Sequence, residues 1–189
     1  MNKNIILAGV GGQGILTIAS VIDLAAIHQG LHIKQAEVHG MSQRGGEVQS
    51  HLRISSEVIH SDLIPLGQAD LIISVEPLEA LRYVPFLKPD GIIISATEPF
   101  VNITNYPNID EVLQELQKFN CKLIAAAEIA QQLGNAKAYN LVLVGAASPY
   151  IGIEKEVIED AIRTLFAAKG EAIVESNIEA FNKGLELDC

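Results

Sequence analysis

Two glycine-rich segments near the N-terminus constrain the fold of this chain more than any other feature. The first is Gly9-Val10-Gly11-Gly12-Gln13-Gly14, and the second is His39-Gly40-Met41-Ser42-Gln43-Arg44-Gly45-Gly46. Each follows an apolar, β-branched run that is typical of a buried strand. If these two strands are neighbours, both loops open on the same edge of one sheet. A polar crevice at such an edge is where α/β proteins bind ligands.

The length and the hydrophobic residues favour one α/β domain. A chain of 189 residues can bury one sizeable core but is short for two. Hydrophobic residues make up 49% of the chain, aromatic residues only 5%, and there is no Trp. The core must therefore be built from Ile, Leu, Val and Ala, as in a parallel sheet with helices on both faces. We predict a Rossmann-like three-layer domain with a mostly parallel sheet.

Hydrophobic periodicity and turn residues predict the order of the elements. Strands are expected at 4–10, 32–38, 48–54, 69–75, 91–96 and 122–126, and helices at 15–29, 77–83, 108–119, 128–133, 139–147, 155–168 and 172–183. The first strand, helix and second strand form a βαβ unit, whose crossover should be right-handed. The turn Ser55-Ser56-Glu57 predicts a β-hairpin between 48–54 and a brief strand at 58–60. Pro149 predicts a break in the helical C-terminal part.

The net charge limits the classes of partner. A formal charge of −10 and a pI of about 4.9 disfavour nonspecific binding to nucleic acid or to an anionic membrane, because the long-range field repels both. The N-terminal residues lack the pattern of a signal peptide, and no apolar run is long enough to span a bilayer. We therefore expect a cytoplasmic protein whose partners are small ligands and other proteins.

Several kinds of catalytic machinery are missing from the sequence. Cys121 and Cys189 are the only cysteines, so this chain alone should hold neither an Fe–S cluster nor a structural zinc ion. A disulfide between them suits neither the compartment nor the spacing. A nucleophile elbow, a Walker loop, a clustered metal set and the thiamine diphosphate motif are also absent. We predict no catalytic residue and no metal site on this chain.

The first glycine-rich segment fits the pattern G-x-G-x-x-G between a strand and a helix. Glycines there permit positive φ and close approach, while the unpaired amides of the first helical turn attract an anion. The candidate cofactor-binding residues are Gly9, Gly11, Gly12, Gln13 and Gly14. The alternative is that these glycines only allow a tight turn and close helix packing.

A dinucleotide site is a second interpretation of the same loop. Glu37 lies 23 residues after Gly14, near the spacing expected for a ribose-binding carboxylate. However, the second strand leads into the loop Met41 to Gly46 instead of a helix, and the dinucleotide fingerprint does not require Gly12 or Gln13. Glu37 could instead orient a neighbouring loop. A freestanding NAD(P)-binding module remains the alternative function.

The second glycine-rich segment adds a cation. Arg44, with Ser42, Gln43, Gly45 and Gly46, can present a guanidinium fork and backbone amides to a carboxylate or phosphate. The alternative for Arg44 is an ion pair within the protein or across a subunit interface. His39 and His51 flank the segment, and a lone histidine is more often a hydrogen-bonded structural residue than a base or metal ligand.

Longer motifs resemble a known family. Residues 9–16, 37–46 and 50–53, followed by 69–82, 140–146 and 169–184, are similar to the gamma-type domain of the 2-oxoacid:ferredoxin oxidoreductases. The pyruvate and 2-oxoglutarate enzymes usually carry Gly-Pro-Glu-(Arg or Ala)-Arg-Gly where this chain has His-Gly-Met-Ser-Gln-Arg-Gly. That difference favours the aryl-pyruvate branch, the small (beta) subunit of indolepyruvate ferredoxin oxidoreductase. The resemblance covers nearly the whole chain, as one pyruvate/ketoisovalerate oxidoreductase gamma-type domain at 1–189.

This resemblance implies a function for the assembled enzyme. An aryl 2-oxoacid such as indolepyruvate is decarboxylated on thiamine diphosphate, electrons pass through Fe–S clusters to ferredoxin, and coenzyme A takes the acyl group. Thiamine diphosphate, magnesium and the clusters are then expected on a larger partner subunit, and the isolated chain is expected to be inactive. Gly11, Gly12, Gln13 and Gly14 would line the crevice near coenzyme A. Arg44, with Ser42 and Gln43, would face either the cofactor or the large subunit, and a purely structural partner without a ligand is a third alternative.

Overall fold

The computed structural model of the chain describes residues 1–40 and 45–187. Within these residues it contains six strands, β1 (Asn2–Val10), β2 (His32–His39), β3 (Glu47–Ser55), β4 (Ala69–Ser74), β5 (Leu87–Ala96) and β6 (Cys121–Ile124). The same residues form seven α-helices, α1 (Ile15–His28), α2 (Pro77–Tyr83), α3 (Ile109–Leu116), α4 (Ala126–Gln132), α5 (Tyr139–Ile151), α6 (Lys155–Phe166) and α7 (Glu171–Glu186).

The six strands form one sheet in the order β2-β3-β1-β4-β5-β6. Strands β1, β4, β5 and β6 are parallel, whereas β3 runs antiparallel to both of its neighbours, β1 and β2. The predicted α/β class with a mostly parallel sheet is therefore confirmed.

The predicted hairpin partner of the third strand is wrong. Strand β3 forms its hairpin with β2, and residues 58–60 carry no strand. Both edges of β3 are already paired, with β2 on one side and β1 on the other, so no edge is left for a following strand. The chain after β3 is instead held by side chains: Arg53 Nη1 donates a hydrogen bond of 2.8 Å to the carbonyl oxygen of Ser61.

The insertion of β3 also corrects the expectation that the first two strands are neighbours. Strand β3 lies between β1 and β2 across their full length. Because β1 and β2 are both antiparallel to β3, they point in the same direction. Their carboxyl ends still lie at one edge of the sheet, and we call this edge the glycine edge.

Helices cover both faces of the sheet, which gives the predicted three layers. Along β1 the side chains alternate between the faces, as strand geometry requires. Ile5 and Leu7 pack against the helices α1 and α4 to α7, whereas Ile6 and Ala8 pack on the side of α2 and α3. The larger layer contains most of the helical C-terminal part that the sequence predicted.

Helix α5 runs further than the sequence predicted, because the break expected at Pro149 does not occur. The helix continues through Pro149 and ends at Ile151. Proline has no amide hydrogen, so the hydrogen bond from position 149 to the Gly145 carbonyl is missing, and only two residues of the helix follow it. Ten of the thirteen α5 residues are buried, so the helix is covered on all sides.

Two glycines let α5 and α7 approach until their backbones touch. A Cβ on Gly184 would overlap the carbonyl oxygen of Val142, and one on Gly145 would overlap that of Phe181. Neither overlap can be relieved by a side-chain rotation, since the obstructing atoms belong to the backbone. The crossing of these two helices therefore depends on both glycines.

The substitution Gly184→Ala is expected to lower the free energy of unfolding by about 2 kcal/mol or more, because the two helices must separate to admit the methyl group. Chemical denaturation of the purified chain measures this change. Glu179→Ala, at an exposed position on the same helix, is the control and should change stability by less than about 0.5 kcal/mol. Equal stability of the two variants would contradict the close crossing.

Candidate functional site

The two glycine-rich segments meet at the glycine edge and are joined by backbone hydrogen bonds. The amide of Gly11 donates to the carbonyl oxygen of Gly46 at 2.8 Å, and the amide of Gly45 donates to that of Gly11 at 3.3 Å. The first segment and the described end of the second therefore form one continuous surface.

Glycine is required at three positions of the first segment for local reasons. At Gly9 a Cβ would overlap the side chain of Val75, which packs directly against the strand end. Gly12 and Gly14 have φ of +101° and +77°, a region that side chains strongly disfavour. A Cβ on Gly14 would also lie 2.8 Å from Asn140 Nδ2.

The Gln13 side chain is used inside the protein. Its Oε1 accepts a hydrogen bond of 2.7 Å from the amide of Val10, and its Nε2 donates one of 3.3 Å to the carbonyl oxygen of Val75. These two bonds connect the ends of the parallel strands β1 and β4. Gln13, which the sequence predicted to line the crevice, holds the shape of the loop through its side chain.

Helix α5 holds the same loop from the side. The hydroxyl of Tyr139 and the Nδ2 of Asn140 both donate to the carbonyl oxygen of Gln13, and Asn140 Nδ2 also reaches that of Gly14 at 3.2 Å. Burial raises the pKa of the Tyr139 hydroxyl, so it stays a donor at neutral pH. The sequence did not identify either residue as part of the site. Their only local signal is that they form a polar pair at the start of an otherwise apolar helix.

The hydrogen bonds leave the amide side of the loop for a ligand. The Gln13 and Gly14 carbonyls are directed at α5, and the amides of Gly11 and Gln13 are bonded to Gly46 and Val10. The next donors are the amides of Ile15 and Leu16 at the start of α1, which have no acceptor within the helix. The Thr17 amide is already bonded to the Gly14 carbonyl oxygen at 2.9 Å. Over its 14 residues, α1 places a partial positive charge there, which favours an anion.

A pocket of about 530 Å³ lies between the first glycine-rich segment and the helices that follow α4. Its wall includes Gly12, Gly14 and Asn140, together with Lys137 and Lys169 at its exposed rim. Lys169 Nζ stands over the ring of Phe166, 5.0 Å from the centroid. The pocket therefore lies on the side of the loop where the Gln13 and Gly14 carbonyls are bonded to α5.

A third segment reaches the glycine edge, the loop of residues 97–107 between β5 and α3, which we call the edge loop. Asn102 Nδ2 donates a hydrogen bond of 2.7 Å to the carbonyl oxygen of Gly45. The buried carboxylate of Glu76 accepts hydrogen bonds from the Tyr106 hydroxyl and, at 3.4 Å, from the Phe100 amide. Burial and the neighbouring carboxylate raise the pKa of Tyr106, which therefore remains protonated.

Glu76 also begins helix α2. Its Oε2 accepts a hydrogen bond of 2.8 Å from the amide of Glu79, as an N-cap residue does. Glu79 is itself buried, which raises its pKa, while Arg82 at 2.9 Å opposes that shift. One carboxylate thus fixes both α2 and the edge loop at the carboxyl end of β4.

Several predicted residues of the second segment lie outside the described part of the chain. These are Ser42, Gln43 and Arg44, as well as the side chain of His39. Their predicted role in binding a carboxylate or phosphate stays a prediction. Among the described members of that segment, Gly45 and Gly46 form backbone hydrogen bonds with the first glycine-rich segment.

Glu37 is not at the glycine edge. It lies opposite Ser50 of β3, which in turn lies opposite Leu7, so Glu37 is level with the middle of β1. It is also two strands away from β1, at about 4.8 Å per strand. A ribose-binding carboxylate belongs at the end of the strand next to the glycine loop, so this geometry disfavours the dinucleotide interpretation.

His51 has a structural environment. It is buried, its Nδ1 accepts a hydrogen bond of 3.0 Å from the amide of Ile64, and its ring stands edge-on to Phe86. Burial lowers the pKa of the imidazole, so the neutral form is favoured. These contacts agree with the structural interpretation of this histidine.

Residues 1–40 and 45–187 carry neither a recognisable metal site nor a membrane-spanning helix. They contain no cluster of three or more His, Cys, Asp or Glu placed to hold a metal ion. Nor is any helix in these residues both long enough and apolar enough to cross a membrane.

Solved structures share this fold over almost the whole chain. A 2-oxoglutarate:ferredoxin oxidoreductase from Magnetococcus marinus, with 2-oxoglutarate, coenzyme A and succinyl-CoA bound, aligns over 98% of this chain with a TM-score of 0.78 and 22% identity. The aligned part is only 31% of that longer chain. The pyruvate oxidoreductase subunit PORC from Thermotoga maritima aligns over 98% of this chain and 96% of its own, with a TM-score of 0.73 and 21% identity.

Sequence comparison gives a closer relationship. The chain is 40% identical to the indolepyruvate oxidoreductase subunit IorB of Archaeoglobus fulgidus, over 97% of this chain and 94% of that subunit. The sequence profile of the family described as pyruvate ferredoxin/flavodoxin oxidoreductase matches residues 4–187. The chain therefore belongs to the pyruvate ferredoxin/flavodoxin oxidoreductase family.

Proposed function

We propose that this chain, as one gamma-type domain spanning residues 1–189, is the noncatalytic small subunit of a cytoplasmic, ferredoxin-dependent 2-oxoacid oxidoreductase. The substrate class proposed is the aryl pyruvates, with indolepyruvate as the representative. The observation that carries this proposal is the 40% identity, over nearly the full length of both chains, to a subunit of an indolepyruvate oxidoreductase.

The chemistry of the reaction is assigned to a larger partner subunit. Oxidative decarboxylation of a 2-oxoacid needs a cofactor that stabilises the carbanion and a route for two electrons, which thiamine diphosphate and Fe–S clusters supply. An Fe–S cluster normally needs four thiolates, whereas this chain has two cysteines far apart in sequence. Electrons then reach ferredoxin through the partner, and the small subunit contributes to the crevice where the acyl group is transferred.

Coenzyme A is the ligand proposed for the glycine edge. Its diphosphate is the kind of anion that glycine-loop amides and a helix N-terminus bind. Since the Gly11, Gln13 and Thr17 amides are bonded within the protein, the proposed donors are the amides of Gly12 and Gly14 and the first two amides of α1. Arg44, Ser42 and Gln43 are proposed to complete the site or to face the large subunit. The Magnetococcus structure with coenzyme A bound supports this proposal through its shared fold.

The first prediction concerns assembly. When the chain is purified under native conditions from its own cells, a larger subunit that carries thiamine diphosphate and Fe–S clusters should elute with it. The measurement is mass spectrometry and cofactor analysis of the complex, together with aryl-pyruvate-dependent reduction of ferredoxin. Recovery of this chain alone, with tight NAD(P)H binding that a Glu37 substitution abolishes, would support the alternative dinucleotide module and contradict our proposal.

The second prediction concerns coenzyme A. Gly12→Ala should raise the KM for coenzyme A of the assembled enzyme about tenfold, because alanine at φ of +101° must rotate the loop amides away from the diphosphate. Steady-state kinetics with coenzyme A as the varied substrate measure this change.

Gly30→Ala is the matched control for this substitution. Gly30 follows the opposite end of α1, also has positive φ and, like Gly12, has open space around its missing Cβ. Both variants therefore carry a comparable backbone strain, but only Gly12 lies at the proposed site. An unchanged KM in Gly12→Ala would favour a purely structural subunit without a ligand.

A further inference from the structure

We propose that the edge loop, residues 97–107, is the surface on which the larger subunit of the enzyme docks. This inference rests on the proposed function and adds to it the location of the interface. The partner recognised would present an apolar, weakly charged surface to the exposed tip of the loop.

The composition of this segment differs from that of the rest of the chain. Glu98 is the only Asp, Glu, Lys or Arg in the edge loop, so residues 99–107 carry no charged side chain, although 19% of the whole chain is charged. Within this stretch Phe100, Val101 and Ile103 are 41%, 68% and 43% exposed. Exposed aromatic and aliphatic side chains without charges are typical of the core of a protein–protein interface. A solvated loop without a partner would normally contain charged residues instead.

The edge loop is held in place before any partner arrives. Tyr106 and the Phe100 amide are bonded to the buried Glu76, and Asn102 is bonded to Gly45. These contacts fix both sides of the exposed Val101. A surface that is ordered in advance loses less conformational entropy on binding, which favours affinity.

The position of the loop connects it to the proposed ligand site. Strand β5 is parallel to β4, and β4 is parallel to β1, so the edge loop leaves the sheet at the glycine edge. The hydrogen bond between Asn102 and Gly45 makes the loop continuous with the two glycine-rich segments. A subunit that docks on Val101 would therefore cover the crevice from the side of β5.

A larger partner is favoured over a second copy of this chain for two reasons. The related Magnetococcus chain contains this fold in only 31% of its length, so there the fold is joined to a larger body. In addition, each copy carries a net charge of −10, and two such copies repel each other at long range. The larger subunit is the occupant to which the proposal commits.

The test replaces the most exposed apolar residue of the loop. Val101→Asp should weaken binding of the larger subunit at least tenfold, because a carboxylate would be buried in an apolar interface without a partner. The dissociation constant is measured by titrating the purified larger subunit with the small subunit, and circular dichroism verifies that the variant is folded.

Val58→Asp is the matched control. Val58 is 64% exposed and lies in the irregular loop that follows β3. The last residue of β3, Ser55, pairs with Asn2 at the start of β1. Val58 therefore lies at the edge of the sheet opposite to the glycine edge. This variant should bind the larger subunit with the affinity of the unmodified chain. A second test variant, Tyr106→Phe, keeps the exposed residues but removes one of the two hydrogen bonds that hold the loop to Glu76, and should weaken binding about threefold.

The outcomes separate this inference from the proposed function. If the unmodified chain does not bind the larger subunit at all, the proposed function fails. If it binds but Val101→Asp has the same affinity, the docking surface is wrong and the function stands. The docking proposal is equally overturned if Val101→Asp abolishes only self-association of the small subunit, because the occupant would then be a second copy.

Discussion

The pair of hydrogen bonds between Gly11 and the described end of the second glycine-rich segment, Gly45 and Gly46, is the interaction on which the candidate site depends. It holds Gly45 and Gly46 against the loop that follows β1. Gln13 then connects β1 to β4, and Asn102 connects the edge loop to Gly45. Segments that are far apart in sequence are thereby fixed at one edge of the sheet.

This arrangement decides which groups remain for a ligand. The polar side chain of Gln13 and the carbonyls of Gln13 and Gly14 are bonded within the protein. The ligand proposed for this edge would then be bound by backbone amides of the glycine loop and of the start of α1. In our proposal the larger subunit completes this site.

Local sequence patterns predicted most elements of the fold. Apolar runs placed β1, β4 and β5, and apolar residues at helical spacing placed the helices, because these signals depend on neighbours within a few residues. The pairing of β3 could not be derived in this way. It depends on β3 pairing with β1, from which α1 and β2 separate it in the sequence. A turn at Ser55 gives no information about that contact.

Local sequence patterns also predicted part of the candidate site, but not the residues that reach it from distant parts of the chain. The glycines identified the loop, since positive φ and close packing restrict the residue type at each position. Tyr139 and Asn140 were not identifiable because they act on a loop more than 120 residues away. Glu76 and Tyr106 were missed because their contact joins residues that are 30 positions apart. The position of Glu37 depends on the register of β2 on β3, which the spacing of 23 residues from Gly14 does not reveal.

Hydrogen–deuterium exchange of the small subunit, alone, with the larger subunit and with coenzyme A added, tests the shared crevice most directly. Our account predicts that the larger subunit slows exchange in the edge loop, that coenzyme A then slows it at residues 12–16, and that the loop at 56–63 is unaffected. Slowed exchange confined to residues 56–63, with the glycine edge unchanged, would contradict the account.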